Sequence, residues 1–268
     1  MRKSLLLLAV MGALGSQAVY AEEAAAPAAA AAAETPVYTL AYNVGLYSQY
    51  IFRGLTQTAN KPAIQGGVDF THSNGFYLGA WGSNVSWLED AAVGSSPTLG
   101  YKNSSLELDL YGGYRGAIKD VAYDVGLLQY VYPGTPNSAQ AKAETTEVYG
   151  SLAYKWVTAK VSVAVSDRVF GTRNASGTYY ADLTANYPLT DTITLTAHVG
   201  RQDYSGAGND VLTYTDWKLG ASKAFANGVT VGGYYTDTNG KVGGYGPDVY
   251  SGGNIADAQG TVYVSKTF

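Results

Sequence analysis

Residues 106–111 read Leu106-Glu107-Leu108-Asp109-Leu110-Tyr111, and apolar and polar side chains alternate through them without a break. Successive side chains of a β-strand point to opposite faces of its sheet. The three leucines therefore share one face, and the two acids and the tyrosine share the other. This pattern predicts a strand that separates an apolar environment from a polar one.

The same alternation continues from Val37 to the end of the chain and predicts about twelve strands. The first predicted strand covers Tyr38 to Ile51, and the last covers Thr261 to Phe268. Long polar or Gly-rich connections alternate with short turns such as Asn74-Gly75, a two-residue hairpin signal. The predicted apolar rows between the first and last strands begin at Ile64, Phe76, Leu106, Val121, Val148, Ala159, Tyr179, Ile193, Trp217 and Val229.

Periodicity alone does not tell whether the apolar rows point inward, as in a soluble β-sandwich or lipocalin, or outward to lipid. The Leu, Ile and Phe content is modest for a soluble core, and the chain stops at the aromatic Phe268, which favours apolar rows facing lipid. Lys266, on the same face as Phe268, departs from this pattern and is expected to extend to the lipid headgroups at the periplasmic rim. Aromatic residues that mark strand ends, as in interfacial girdles, are Tyr38, Phe76, Trp87, Tyr114, Trp156, Tyr179, Tyr187 and Phe225. We therefore predict an all-β fold, a transmembrane antiparallel up-and-down β-barrel over residues 37–268 with periplasmic termini.

The N-terminus predicts export. Arg2 and Lys3 precede an apolar run from Leu5 to Leu14, about half of the roughly twenty residues that a spanning helix needs. We expect a signal peptide over 1–21 and an Ala/Pro-rich periplasmic tail over 22–36, with the barrel integral to the outer membrane of a Gram-negative cell. The mean hydropathy of −0.07 is too low for a helical membrane protein and suits a barrel.

Charge and composition exclude several classes of function. Removing residues 1–21 removes two of the 17 Lys and Arg and none of the 21 Asp and Glu, so the mature chain has a formal charge of −6 and is not expected to bind nucleic acid. With no cysteine, neither disulfides nor thiolate chemistry is available. No motif indicates a cofactor or metal site.

The polar rows predict the inner face of the barrel, because a Lys or Arg in lipid near the midplane costs about 2 to 4 kcal/mol. They are read either as charged rings lining a solvated pore or as paired ladders bracing a closed barrel. Side chains assigned to the lumen are Asp69, Glu107, Asp109, Arg115, Asp124, Glu147, Lys155, Lys160, Arg168, Asp182, Asp216 and Lys218.

Arg53 and Gln57, in the first long loop beside Gly54, are candidate contacts for an anionic solute at the pore. A guanidinium group fits carboxylate or phosphate, which favours this interpretation. The alternative is that Arg53 ties the loop to an acidic residue of the wall.

The two histidines offer little basis for catalysis. His72 lies at the predicted turn Asn74-Gly75, and His198 lies on an inner face with Thr194 and Thr196. Neither has a nucleophile at a recognisable spacing. We therefore do not expect an enzyme.

The stretch Ser48 to Thr58, with Pro62 to Gly67 after it, resembles the opening of the TorF family of proteins classed as porins, also called the Gcw_chp family. Later blocks are similar too: Gly75 to Asn84, Glu107 to Tyr114, Tyr123 to Pro133 and Ser265 to Phe268. The resemblance covers nearly the whole mature chain. It implies an outer-membrane barrel with a pore and transfers no established substrate.

The sequence thus predicts an outer-membrane porin-like channel for passive diffusion of small polar solutes. The alternatives are a closed structural or adhesive barrel that acts through its external loops, and an outer-membrane enzyme acting on lipid. Expected partners are outer-membrane lipids and lipopolysaccharide, the barrel-assembly machinery and the solutes themselves. The oligomeric state stays open.

Overall fold

The computed structural model describes residues 36–93, 100–251 and 253–268, and these form a closed barrel of twelve antiparallel strands. Each strand pairs with its neighbour in sequence, and the first pairs with the last, so the wall has no free edge. The predicted all-β barrel and its strand number are confirmed. The predicted signal peptide, and residues 22–35 of the predicted tail, lie outside the described residues.

The barrel strands are β1 (Tyr38–Tyr47), β4 (Ala63–His72), β5 (Phe76–Asn84), β6 (Leu106–Ile118), β7 (Val121–Val131), β8 (Thr145–Tyr154), β9 (Val157–Ala164), β10 (Tyr179–Pro188), β11 (Ile193–Asp203), β12 (Tyr214–Ala224), β13 (Val229–Thr238) and β14 (Gln259–Thr267). A separate two-stranded hairpin consists of β2 (Ile51–Phe52) and β3 (Leu55–Thr56). The helical elements, all in loops, are α1 (Trp87–Val93), a 3₁₀ turn (Asn209–Leu212) and α2 (Val242–Tyr245). Neither α-helix is long or apolar enough to cross a membrane.

Long and short connections alternate, as predicted, and give the barrel two distinct ends. The long connections cover 48–62, 85–105, 132–144, 165–178, 204–213 and 239–258, and their end is called the loop end. The short connections cover 73–75, 119–120, 155–156, 189–192 and 225–228, and their end is called the turn end. β1 begins and β14 finishes at the turn end.

The apolar rows point outward. Leu78 is 64% exposed and Val262 66%, whereas the inward Glu107 is 1% exposed and Asp109 2%. Most of the predicted girdle aromatics lie on this outer surface, but Trp87 does not. It is buried in α1 with its ring centroid 5.5 Å from that of Tyr132, and its backbone N–H donates to the Gln57 carbonyl of the first loop at 3.2 Å.

Two predicted turns differ from the structure. The first strand ends at Tyr47 rather than Ile51, since Ile51 and Phe52 leave the wall to form β2. At Asn74-Gly75 the connection has three residues, and only Gly75 has a positive φ (103°). Three-residue hairpin loops of this kind place glycine in the left-handed region.

Inward tyrosines and glycines fit together across neighbouring strands. A Cβ added at Gly79 would lie 2.3 Å from the ring of Tyr111, and one at Gly232 would lie 2.5 Å from that of Tyr263. The rings therefore lie flat against the wall where glycine leaves space. This packing accounts for part of the high tyrosine and glycine content of the chain.

Candidate functional site in the barrel lumen

The β2–β3 hairpin is the most unusual feature of the lumen. Ile51 pairs with Thr56 and Phe52 with Leu55, so Arg53 and Gly54 form a two-residue turn with φ of 48° and 82°. Two positive φ values define the type I′ turn, in which Asn and Gly are preferred. Arginine at this position is strained, and such strain concentrates at functional sites.

The tip of the hairpin reaches across the lumen. Arg53 donates from Nη1 and Nη2 to the two carboxylate oxygens of Glu147, at 2.9 and 2.7 Å, and from Nη1 to Oε1 of Gln202 at 2.8 Å. Glu147 belongs to β8 and Gln202 to β11, which lie across the closed barrel from β1. The first loop is thus tied to an acidic wall residue, the alternative that the sequence left open.

Aromatic rings complete the surroundings of Arg53. Its Cζ lies 4.7 Å from the ring centroid of Phe52 and 4.5 Å from that of Tyr180, within cation–π range. Burial by itself would lower the pKa of Arg53, but the charge and hydrogen bonds of Glu147, together with Tyr130 and Tyr180, outweigh burial and place that pKa well above its ordinary value. The guanidinium group is therefore charged and paired.

The rest of the hairpin is fixed to the wall and to the other loops. A Cβ at Gly54 would lie 2.5 Å from Thr238 and 2.7 Å from Asp216, so the backbone touches the wall there. The Thr56 N–H donates to the Ile255 carbonyl at 3.0 Å. Buried Gln57 donates from Nε2 to the Leu55 carbonyl, so its amide is used within the loop. These contacts hold the hairpin across the loop end of the lumen.

A carboxylate cluster lies on the wall around this hairpin. Tyr50 and Tyr132 each donate a hydroxyl to Glu107 at 2.6 Å. Asp109 is within electrostatic range of Glu107 and Glu147, and its buried Oδ1 has no hydrogen-bond partner. Burial raises the pKa of Tyr50, and the negative charge of Glu107 raises it further, so this phenol remains a donor.

Toward the turn end, opposite charges face each other across strands; Asp124 there is 1% exposed, but other charged side chains are more accessible. Arg115 faces Asp124 in register, and its Nη2 donates to Thr71 at 2.6 Å. Asp69 accepts from the Tyr111 hydroxyl at 2.6 Å. Asp69, Arg115 and Tyr111 are only half-buried. This half of the lumen therefore has charged groups that water can reach.

Halfway up the wall, Lys160 faces Asp182 in register and lies 4.2 Å from the centroid of the Tyr149 ring. Lys218 lies 5.3 Å from the ring centroid of Tyr234. Opposite charges facing each other across strands stabilise a sheet. This arrangement matches the paired ladders of the braced-barrel interpretation.

His198 lies in a polar group that the sequence did not reveal. Its Nδ1 is 2.7 Å from Oγ1 of Thr184, and its Nε2 is 2.9 Å from the Tyr180 hydroxyl and 3.2 Å from Oδ1 of Asp216. The β10–β11 register brings Thr184 opposite His198 across the turn 189–192. Pairing the residues on either side of that turn in order, beginning with Pro188 and Thr194, would have placed Thr184 opposite His198 from the sequence alone.

Two predicted lumen residues lie elsewhere. Arg168 is beyond the end of β9 and exposed in the loop 165–178, because the strand ends at Ala164. Lys155 lies in the turn 155–156 with φ of 53° and is also exposed. Among the residues that the structure describes, no group of three or more His, Asp or Glu is arranged to hold a metal ion.

Comparison with known proteins is consistent with this architecture. The chain is similar to the KdgM porin, with a TM-score of 0.52 and 7% identity over 85% of this chain and 99% of that chain. It is also similar to the NanC porin, with a TM-score of 0.50 and 10% identity over 86% and 99%. At these identities the likeness shows the fold alone. No curated protein matches the sequence. Residues 30–268 match the family described as "Bacterial protein of unknown function (Gcw_chp)", and the chain belongs to that family.

Proposed function

We propose that this protein is an outer-membrane channel for small polar solutes, narrowed at its loop end by the β2–β3 hairpin. The observation that carries the proposal is the division of faces in a closed barrel: aliphatic rows outside, carboxylates, hydroxyls and basic groups inside. A spanning barrel needs an apolar outer band and tolerates a polar lumen. We include in this proposal that the barrel is a porin. The resemblance to the TorF family and the likeness in fold to the KdgM and NanC porins support this.

The same proposal includes the placement of the chain in the cell. The turn end faces the periplasm and the long loops face the cell exterior, as in bacterial outer-membrane barrels. A signal peptide over 1–21 directs export, the 22–36 tail stays periplasmic, and the assembly machinery inserts the barrel among lipid and lipopolysaccharide. We expect that detergent, but not salt or high pH, will extract the protein from isolated outer membranes.

The lumen favours cations over anions. Its inward carboxylates in the described residues are Asp69, Glu107, Asp109, Asp124, Glu147, Asp182 and Asp216, and the facing cations are Arg53, Arg115, Lys160 and Lys218. An excess of carboxylates around a pore selects for cations. The expectation that Arg53 contacts an anionic solute is weakened, because both terminal nitrogens of its guanidinium group already donate to Glu147.

Planar-bilayer recording tests the proposal. With purified protein and a KCl gradient, we expect single channels whose reversal potential has the sign of K⁺ preference. Asp69→Asn removes an inward charge and should reduce that preference, while Asp248→Asn, in an exposed loop, should leave it unchanged. A reversal potential that indicates preference for Cl⁻ over K⁺ would contradict the cation preference inferred from the excess of inward carboxylates.

The crossing hairpin also favours a second candidate, a closed barrel that acts through its loops. If neither wild type nor the hairpin variants produce a single-channel current in bilayers, that result would support the closed barrel and reject the channel. For the enzymatic alternative, we expect His198→Ala and wild type to show equal, background lipid hydrolysis. Hydrolysis that is lost in His198→Ala would contradict this expectation.

A further inference from the structure

The wall groups that hold Arg53 form a receptor for a guanidinium group. Glu147 supplies two carboxylate oxygens, Gln202 supplies an amide oxygen, and Tyr180 supplies a ring face. These three residues lie on β8, β11 and β10, so they stay in the wall whatever the hairpin does. Only Phe52 would leave together with Arg53.

The charge of the wall adds to this match. Glu107 and Asp109 lie within electrostatic range of the same place, and Asp109 keeps a buried oxygen without a hydrogen-bond partner even with Arg53 present. Lys160 is in electrostatic range of Glu147 but faces Asp182 in register. Withdrawal of the hairpin would leave the wall with an unbalanced negative charge, and the oxygens of Glu147 and Gln202 would lose their donor.

We propose that the lumen wall is a binding site for guanidinium-bearing solutes, occupied in this structure by the chain's own Arg53. Such solutes exchange with Arg53 as they cross the constriction. The planar guanidinium fork donates two parallel hydrogen bonds to a carboxylate and stacks on aromatic rings, whereas an ammonium group does neither in the same way. This solute class rests on the proposed channel function.

The experiment measures binding rather than transport. Detergent-solubilised full-length wild type, Arg53→Ala, and Arg53→Ala with Glu147→Gln are titrated with guanidinium chloride by calorimetry at non-denaturing concentrations. Tetramethylammonium chloride at matched ionic strength is the reference cation. Arg201→Ala, which removes an arginine that is 52% exposed and paired with Asp203, is the matched control.

We expect saturable guanidinium binding by Arg53→Ala at a concentration at least about tenfold lower than by wild type, Arg201→Ala or the double variant, a difference of about 1.4 kcal/mol. Tetramethylammonium should show no saturation with any of them. Binding of guanidinium by Arg53→Ala no tighter than by the double variant would overturn the proposal. If Arg53→Ala does not fold, as judged by its heat-modifiable mobility, Arg53→Lys takes its place, because lysine fills the site without the fork and should be displaced more easily than wild-type arginine.

The two proposals fail separately. A protein that binds guanidinium in detergent but never conducts in bilayers rejects the channel and retains the site. A protein that conducts but gives no tighter binding in Arg53→Ala rejects the site alone.

Discussion

The two halves of the lumen use the same residue types in different ways. Near the loop end, Glu107, Asp109 and Glu147 are almost fully buried beneath a hairpin that supplies Arg53 as their cation. Near the turn end, Asp69 and Arg115 lie on equivalent inward positions and remain half-exposed, whereas Asp124 is 1% exposed and accepts a hydrogen bond from the buried Tyr77 hydroxyl. An inward strand position therefore does not decide whether a charge meets water. The residues packed over it do: the hairpin with Arg53 covers Glu147, and Tyr77 of the wall covers Asp124.

The largest effect is expected from Arg53→Ala. Removing one partner of a buried ion pair costs about 3 to 5 kcal/mol when the other charge stays buried. Here the loss of the Arg53 side chain lets water reach Glu147 and widens the constriction at the hairpin. We expect a severalfold rise in single-channel conductance in planar bilayers.

The control for that measurement is Arg201→Ala. The Arg201–Asp203 pair is exposed, and surface pairs contribute about 1 kcal/mol or less. Its conductance should equal that of wild type. Equal conductance of wild type and Arg53→Ala would mean that the two halves of the lumen do not differ in the way described.

A second prediction compares neighbouring residues on opposite faces in the middle of β10. Leu183 is 48% exposed on the outer surface, and Thr184 points into the lumen. Leu183→Arg should lower the free energy of unfolding in lipid by about 2 to 4 kcal/mol. Thr184→Arg should cost much less, because its guanidinium would lie near Asp182 and water. Urea unfolding of both variants in vesicles measures the difference, and equal losses would contradict it.

A third prediction uses two glycines with the same backbone conformation. Gly54 and Gly208 have φ of 82° and 83°, so alanine at either costs about 1 kcal/mol of backbone strain. Only at Gly54 does the added Cβ meet the wall, while at Gly208 nothing lies within 4 Å. We expect a higher single-channel conductance than wild type for Gly54→Ala and an unchanged conductance for Gly208→Ala. A larger effect of Gly208→Ala would show that strain, not contact with the wall, controls the hairpin.

The smallest effect is expected at the turn end. Asp69→Asn keeps an acceptor for the Tyr111 hydroxyl at a half-exposed site. The change in stability should stay below about 1 kcal/mol, in line with a partly hydrated hydrogen bond. Thermal unfolding followed by circular dichroism measures it. A loss comparable with that of Leu183→Arg would place Asp69 in a dry environment.

Most of the barrel could be predicted from the sequence, because a periodicity of two divides the side chains between two faces and the alternation of loop lengths distinguishes two ends. The inward acids of β6 follow directly from Leu106 to Tyr111. The hairpin could not be predicted in this way, since Ile51, Phe52 and Leu55 continue an apolar pattern after β1 has ended. Arg53-Gly54 carries no standard turn signal, and its partners Glu147 and Gln202 are distant in sequence. Which inward charges are covered depends on such long-range contacts.

Accessibility of single cysteines tests the central claim most directly, because the natural chain contains none. Ser162 is 3% exposed on β9 near the loop end, and Ser222 is half-buried on β12 near the turn end. In nanodiscs, a small charged methanethiosulfonate reagent should modify Ser222→Cys much faster than Ser162→Cys, and Arg53→Ala should accelerate only the latter. Equal rates at both positions, unchanged by Arg53→Ala, would contradict a lumen narrowed at its loop end by the hairpin.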